Sequence, residues 1–185
     1  LSEKEVNFCK KELKLDVDSV PIHKKFKENY FDFITMIFVL EHISDPVSFL
    51  NYLKKFLKPK GKFIILVPNI NDALLNFYNI PVFKNFYYCI EHLFYYSPKT
   101  IKNLFKISGL SGKIEVVQEY PITNHINWGL KQKPSNVQQS RENIPDILLA
   151  NSKFNKEWEN LWKNFSNVYK EFLIKNNFGD RIWCE

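Results

Sequence analysis

Glu41 and His42 stand side by side where a run of apolar residues stops. An imidazole titrates near neutral pH and can take a proton from a bound nucleophile, with a carboxylate beside it. The same pair can instead hydrogen-bond to shape a turn, and the sequence leaves both uses open. Asn69 closes a second apolar run, placed to face a ligand or to make a turn. His92, Tyr95 and Tyr96 form one polar–aromatic group; Asn124, His125 and Trp128 form another. Such mixtures line sites for sugars and other small polar molecules. Singly, each of these residues is more often packing; gathered round one cleft they are a site. Asp45 precedes Pro46 and reads as a helix cap, and His23 as an exposed loop residue.

The elements around these residues follow from periodicity. Ser2 and Glu5 make a capping box, so Ser2 to Leu13 is expected to be a helix. Val17 to Ile22 is short and β-branched and is expected to be a strand. Phe33 to Leu40 is nearly all apolar, the pattern of a strand buried on both faces in a parallel sheet. A helix starts at Asp45-Pro46 with Val47, Phe49, Leu50, Leu53, Phe56 and Leu57 as its apolar stripe, and Lys62 to Val67 is the next strand. Residues 70–96 have no clean period, which suits a lid or substrate segment. Ser97-Pro98 opens a helix that Gly109 stops. Lys113 to Tyr120 alternates as a strand, and Pro134 to Pro145 is polar and loop-like. From Asn155 to Ile174 the spacing of Trp158, Leu161, Trp162, Phe165, Val168 and Phe172 is helical and expected to be a core stripe. Arg181 to Cys184 is a terminal strand. Strand, helix, strand with a polar pair at the first strand's carboxyl end is where open α/β sheets bind ligands.

Composition narrows the function. A length of 185 residues suits one domain, and 45% hydrophobic with 16% aromatic residues gives a ring-rich core. The net charge of +6 comes from scattered lysines. Arg141 and Arg181 are the only arginines, which argues against a nucleic-acid partner. Cys9, Cys89 and Cys184 lie far apart with no paired spacing, so neither a disulfide framework nor a metal site is expected, and a reducing cytoplasm fits. No apolar run reaches the roughly 18 residues of a membrane helix.

Several segments in order resemble the class I S-adenosylmethionine-dependent methyltransferases. FDFITMIFVLEHI resembles that family's fourth strand and the turn after it, and LKPKGKFIILVPN its LKPGG turn and fifth strand, with Lys60 where many members have Gly. Residues 91–110 resemble its HL-aromatic-Ser-Pro segment, residues 116–134 a sixth strand with an NH-x-x-W loop, and GDRIWCE the antiparallel last strand. The resemblance implies an α/β Rossmann-like sheet, mostly parallel with an antiparallel last strand, and residues 121–178 as an insertion before that strand. It implies S-adenosylmethionine as cofactor, with Met36, Ile37 and Phe38 at its methionine or sulfonium end. For Met36 and Ile37 a plain buried strand is the favoured reading. An aromatic face such as Phe38 can stabilise the cation. Glu41 and His42 are then the catalytic pair. Asn69, His92, Tyr95, Tyr96, Asn124 and His125 face a small-molecule, sugar-linked acceptor.

One part of the family's pattern is missing: no glycine precedes Gly61, so the glycine-rich cofactor loop is absent. The two strands that flank that loop would leave a gap of roughly 10 Å in the sheet. The domain is therefore expected to be N-terminally truncated, or to close its sheet by exchange within a homodimer. Two activities are compatible: methyl transfer in the parent enzyme, and a non-catalytic methyltransferase-like module for partner binding or assembly.

Overall fold

The computed structural model describes residues 2–134 and 152–185. The expected polar loop lies outside the described residues from 135 onward. Helix α1 (Glu3–Lys11) opens with the expected capping box between Ser2 and Glu5. Val17 to Ile22 is not a strand. Asp18 accepts from the Val20 backbone N–H at 2.9 Å, Lys25 bridges Asp18 at 3.1 Å, and Pro21 leads into the single turn α2 (Ile22–Lys25). With no neighbour to pair with, local Asp and Pro turn chemistry overrides β-propensity there.

Strand β1 (Phe31–Ile37) is followed by a 3₁₀ turn, Leu40–His42. Helix α3 (Pro46–Lys54) starts as expected, with Asp45 accepting from the Ser48 N–H at 3.0 Å. Strand β2 (Leu57–Pro68) runs parallel to β1. Two short helices follow, α4 (Ala73–Asn76) and α5 (Pro81–Tyr87), inside the segment read as irregular. Helix α6 (Pro98–Ile107) is capped by Ser97 and ends before Gly109, whose φ is +62°. Then come β3 (Ile114–Val117), α7 (Ile122–Lys131), α8 (Asn155–Lys175) and β4 (Arg181–Cys184). The strand order is β1-β2-β4-β3, and β4 is antiparallel to both its neighbours. Thus β1, β2 and β3 share one direction and the last strand is reversed between two of them, the α/β architecture expected.

The core lies on one sheet face. Leu50 and Leu53 of α3 and Ile101, Leu104 and Phe105 of α6 pack on Met36, Phe63, Ile65 and Ile182. Leu50 and Ile101 are fully buried, each side chain contributing about 1.5–3 kcal/mol. Two burial expectations are corrected. β1 lies at the sheet edge, and Phe33 (56%) and Ile37 (46%) are exposed on the face away from the core. On α8, Leu161, Phe165, Val168 and Phe172 are exposed among the described residues, while Ser166 and Leu173 are buried. Periodicity identifies a helix's apolar face but not what covers it.

Candidate functional site

β1 and β2 end, and antiparallel β4 begins, at the same edge of the sheet. A cleft of about 460 Å³ opens there, a size that suits a small molecule. Aromatic rings of Phe38, Phe83, Tyr87 and Trp128 form its walls, and Asp72, Asn124, His125, Asp180 and Arg181 supply polar groups.

Each polar group is held by local chemistry. Phe38 has φ +54°, uncommon for a bulky residue and a mark of local strain, which turns the chain out of β1. Its N–H still donates to Leu66 C=O at 2.9 Å. Asp72 caps α4, its Oδ1 accepting from the Leu74 N–H at 2.7 Å. Gly179 brings β4 so close to β3 that a Cβ there would lie 2.5 Å from the Val117 carbonyl oxygen. That approach puts the next residue, Asp180, within reach of the backbone N–H groups of Glu119 (3.0 Å) and Tyr120 (2.8 Å) and of the Gln118 amide. The Arg181 guanidinium lies 4.8 Å from the Phe38 ring centre and 5.4 Å from that of Tyr120, and pairs with Glu119.

Burial sets the electrostatics. Asp72 and Asp180 are almost wholly buried, and loss of water pushes each carboxyl up to about 7 despite their backbone donors. His125 is pulled down to about 4 by burial, so it is neutral at pH 7. Its Nδ1 lies 2.5 Å from the Tyr169 hydroxyl, which bonds the Tyr78 hydroxyl at 2.9 Å. The Tyr87 hydroxyl, buried in the cleft wall, has no hydrogen-bond partner among the described residues, and burial raises its pKa.

The structure sorts the expected site residues into three places. Phe38, Asn124 and His125 line the cleft. The latter two stand on helix α7 rather than on the loop expected there. Glu41, His42 and His92 converge beside the end of β1, outside the cleft lining. The rest are committed elsewhere. Met36 (3% exposed) and Tyr96 (5%) are in the core, Ile37 is exposed, and the Tyr95 hydroxyl accepts from the Cys89 N–H at 2.9 Å. The buried Asn69 amide donates to the carbonyls of Asn177 (3.2 Å) and Gly179 (2.7 Å), and its oxygen accepts from the Asn71 N–H. It ties the end of β2 to the approach of β4. Asp72, Tyr87, Asp180 and Arg181 were missed by the sequence reading. The Asp72-Ala-Leu-Leu cap and the Gly-Asp-Arg run before the last strand were their only signals.

The sequence profile of a family described as "Methyltransferase domain" matches residues 5–113. No curated protein matches the chain. Among solved structures, a SAM-dependent methyltransferase from Archaeoglobus fulgidus superposes with a TM-score of 0.52 at 19% identity, over 99% of this chain and 71% of that one. One from Thermotoga maritima has a TM-score of 0.40 at 23% identity, over 51% of this chain and 44% of that one. A complex between the Haloferax volcanii Trm112 methyltransferase activator and a methyltransferase has a TM-score of 0.42 at 13% identity, over 86% of this chain and 55% of that one. The chain thus spans 71% of the first structure's length and about half of the other two. The Archaeoglobus likeness supports the fold.

Proposed function

This chain belongs to the class I S-adenosylmethionine-dependent methyltransferases, and we propose that it transfers a methyl group to a small polar acceptor held in the cleft. The observation that carries the reading is the cleft itself: two buried carboxyls titrating near neutrality, between aromatic walls, at the carboxyl ends of β1 and β2. Aromatic faces beside carboxyl groups suit a sugar-linked acceptor. The size of the cleft and the scarcity of arginine count against nucleic acid.

The residues present fit the cofactor's reactive end. Ile37, Phe38 and Val39 are 46%, 38% and 36% exposed where β1 ends, giving an apolar and aromatic surface for a sulfonium. When bound, S-adenosylmethionine would supply an electrophilic methyl carbon, to which the acceptor's lone pair would bond as the carbon–sulfur bond breaks and a neutral thioether leaves. The cleft residues align the acceptor and exclude water. An acceptor hydroxyl or ammonium must also lose a proton. Of the two acids, Asp180 is committed to backbone donors, whereas Asp72 spends one oxygen on Leu74. Asp72 takes the proton in this reading, with a pKa matched to neutral pH.

Calorimetry with S-adenosylmethionine on this chain, supported by a melting shift, is the first test. Saturable binding that Phe38→Ala weakens supports the reading, and its absence counts against this chain acting alone. A second reading, the partner-binding module, draws on the open edge of β1 and its exposed Phe33 and Ile37. Unpaired apolar edges recruit another strand, as a homodimer would provide. Light scattering of wild type against Phe33→Lys separates a dimer from a monomer.

A further inference from the structure

Three side chains outside the cleft lining meet where β1 ends. Glu41 and His42 lie in the 3₁₀ turn Leu40–His42, and His92 arrives from the chain after α5. One donor atom from each lies within 4.8 Å of the other two. The two imidazoles meet edge to face with ring centres 4.8 Å apart. The backbone enforces this approach: Leu93 and Phe94 both donate to Glu41 C=O, at 2.9 and 3.1 Å.

One hydrogen bond fixes the His42 ring. His42 Nδ1 lies 2.8 Å from Glu91 C=O. A carbonyl only accepts, so Nδ1 carries a proton and Nε2 is the nitrogen left to ligate. Metal-ligating histidines are oriented in this way, the second nitrogen donating to a carbonyl. Glu41 is 1% exposed, yet among the described residues its carboxylate has no partner beyond its own backbone N–H, and His92 Nδ1 is likewise buried without a partner there. An unpaired buried carboxylate is costly. Three side chains whose ligand atoms lie within 4.8 Å of one another, two of them with buried polar atoms left unpaired among the described residues, call for an electron-pair acceptor there.

We propose that Glu41, His42 and His92 bind a divalent transition-metal cation of the zinc type. Two imidazoles and one carboxylate match zinc, cobalt or iron, whereas magnesium and calcium want oxygen donors. Three protein ligands leave a fourth position open for water or a ligand oxygen. Bonds of about 2.0–2.2 Å require the donors to draw closer on binding, which side-chain rotation supplies. The cation fastens the chain at 91–96 to the end of β1. This binding stands independently of the methyl-transfer reading.

The test is Zn²⁺ titrated by calorimetry into the EDTA-treated 185-residue chain, repeated with Co²⁺ read by its visible spectrum. One equivalent is expected, with micromolar or tighter affinity and no competition from millimolar Mg²⁺. Zinc at about 100 times its Kd should raise the melting temperature by roughly 5–10 °C. Glu41→Gln and His92→Gln should each weaken binding by about 100-fold or more, beyond the 10–100-fold typical of a lost supporting contact. Circular dichroism checks that both variants fold. His23→Gln and Cys89→Ser should leave binding unchanged. Three results would overturn the proposal: no stoichiometric uptake, uptake that survives both ligand substitutions, or uptake abolished by Cys89→Ser. Cofactor calorimetry is a separate readout, so failure of one site does not imply failure of the other.

Discussion

Asp180 and Glu41 are both buried carboxyls at the same end of the sheet, 5% and 1% exposed, but their surroundings are opposite. Asp180 accepts from two backbone N–H groups and lies within reach of the Gln118 amide, and its own N–H donates to Gln118 Oε1 at 3.1 Å. Among the described residues Glu41 has no hydrogen-bond partner beyond its own backbone N–H. One region spends its polar groups on holding β3 and β4 together. The other leaves them unspent, at a cost in stability that burial makes acute. A satisfied network identifies scaffold, and an unsatisfied one identifies a place where something else is meant to bind.

The largest expected effect breaks the satisfied side. Gly179→Ala would drive a methyl to 2.5 Å from the Val117 carbonyl and 2.7 Å from the Val116 side chain. It should cost about 3 kcal/mol, the upper end for overpacking, and lower the melting temperature by roughly 6–12 °C. A shift under about 2 °C would mean that β3 and β4 separate easily and that Asp180 is not held as described. Next comes a pair of opposite signs. Asp180→Asn turns an NH₂ toward backbone donors and should destabilise by about 2 kcal/mol. Glu41→Met removes a buried group without partners and should stabilise the metal-free chain by about 1–3 kcal/mol. Denaturant melts of both read the difference, and equal signs would dissolve the comparison.

The same contrast explains what the sequence disclosed. Strand–helix–strand order, the Asp45-Pro46 and Ser97-Pro98 starts and the reversed last strand were legible because they rest on local period and cap chemistry. Burial on each face was not, because Phe33 and Phe165 are apolar whatever covers them. Glu41 and His42 stood out as neighbours, but His92 lies 50 positions from His42, and the fold alone unites them. Asp72 and Asp180 gave weaker signals still. Each looks like an ordinary turn aspartate until the surrounding chain removes water from it.

A smaller effect lies in the pH dependence of stability. Asp72 and Asp180 have folded pKa values raised from 3.8 to about 7, so the folded state holds more protons than the unfolded one between those values. Their stabilising contribution is complete below about pH 4 and is lost as pH rises through about 7. His125, lowered from 6.5 to about 4, acts oppositely: its contribution is complete above 6.5 and fades as pH falls through 4. Two acids against one imidazole predict a melting temperature that falls from pH 5 to pH 8. Asp72→Asn should flatten that fall and raise stability at pH 8. In a transfer assay it should abolish the rise in rate through about pH 7 that a base of this pKa gives. An unchanged profile would move the proton-accepting role away from Asp72.

The smallest effect isolates a single hydroxyl on each side of the contrast. Tyr169 bonds both His125 and Tyr78, so Tyr169→Phe removes a shared partner from a buried chain and should cost about 1–2 kcal/mol. The Tyr87 hydroxyl is buried without a hydrogen-bond partner among the described residues, and its side chain lines the cleft. Tyr87→Phe should therefore leave stability unchanged or raise it by up to about 1 kcal/mol, because the buried oxygen has no bond to lose. If the cleft binds a polar acceptor, the same substitution should weaken that acceptor several-fold, while Tyr169→Phe changes affinity only as far as it loosens α7. A Tyr87→Phe protein as destabilised as Tyr169→Phe would show that the hydroxyl is bonded in the folded chain and belongs to the scaffold.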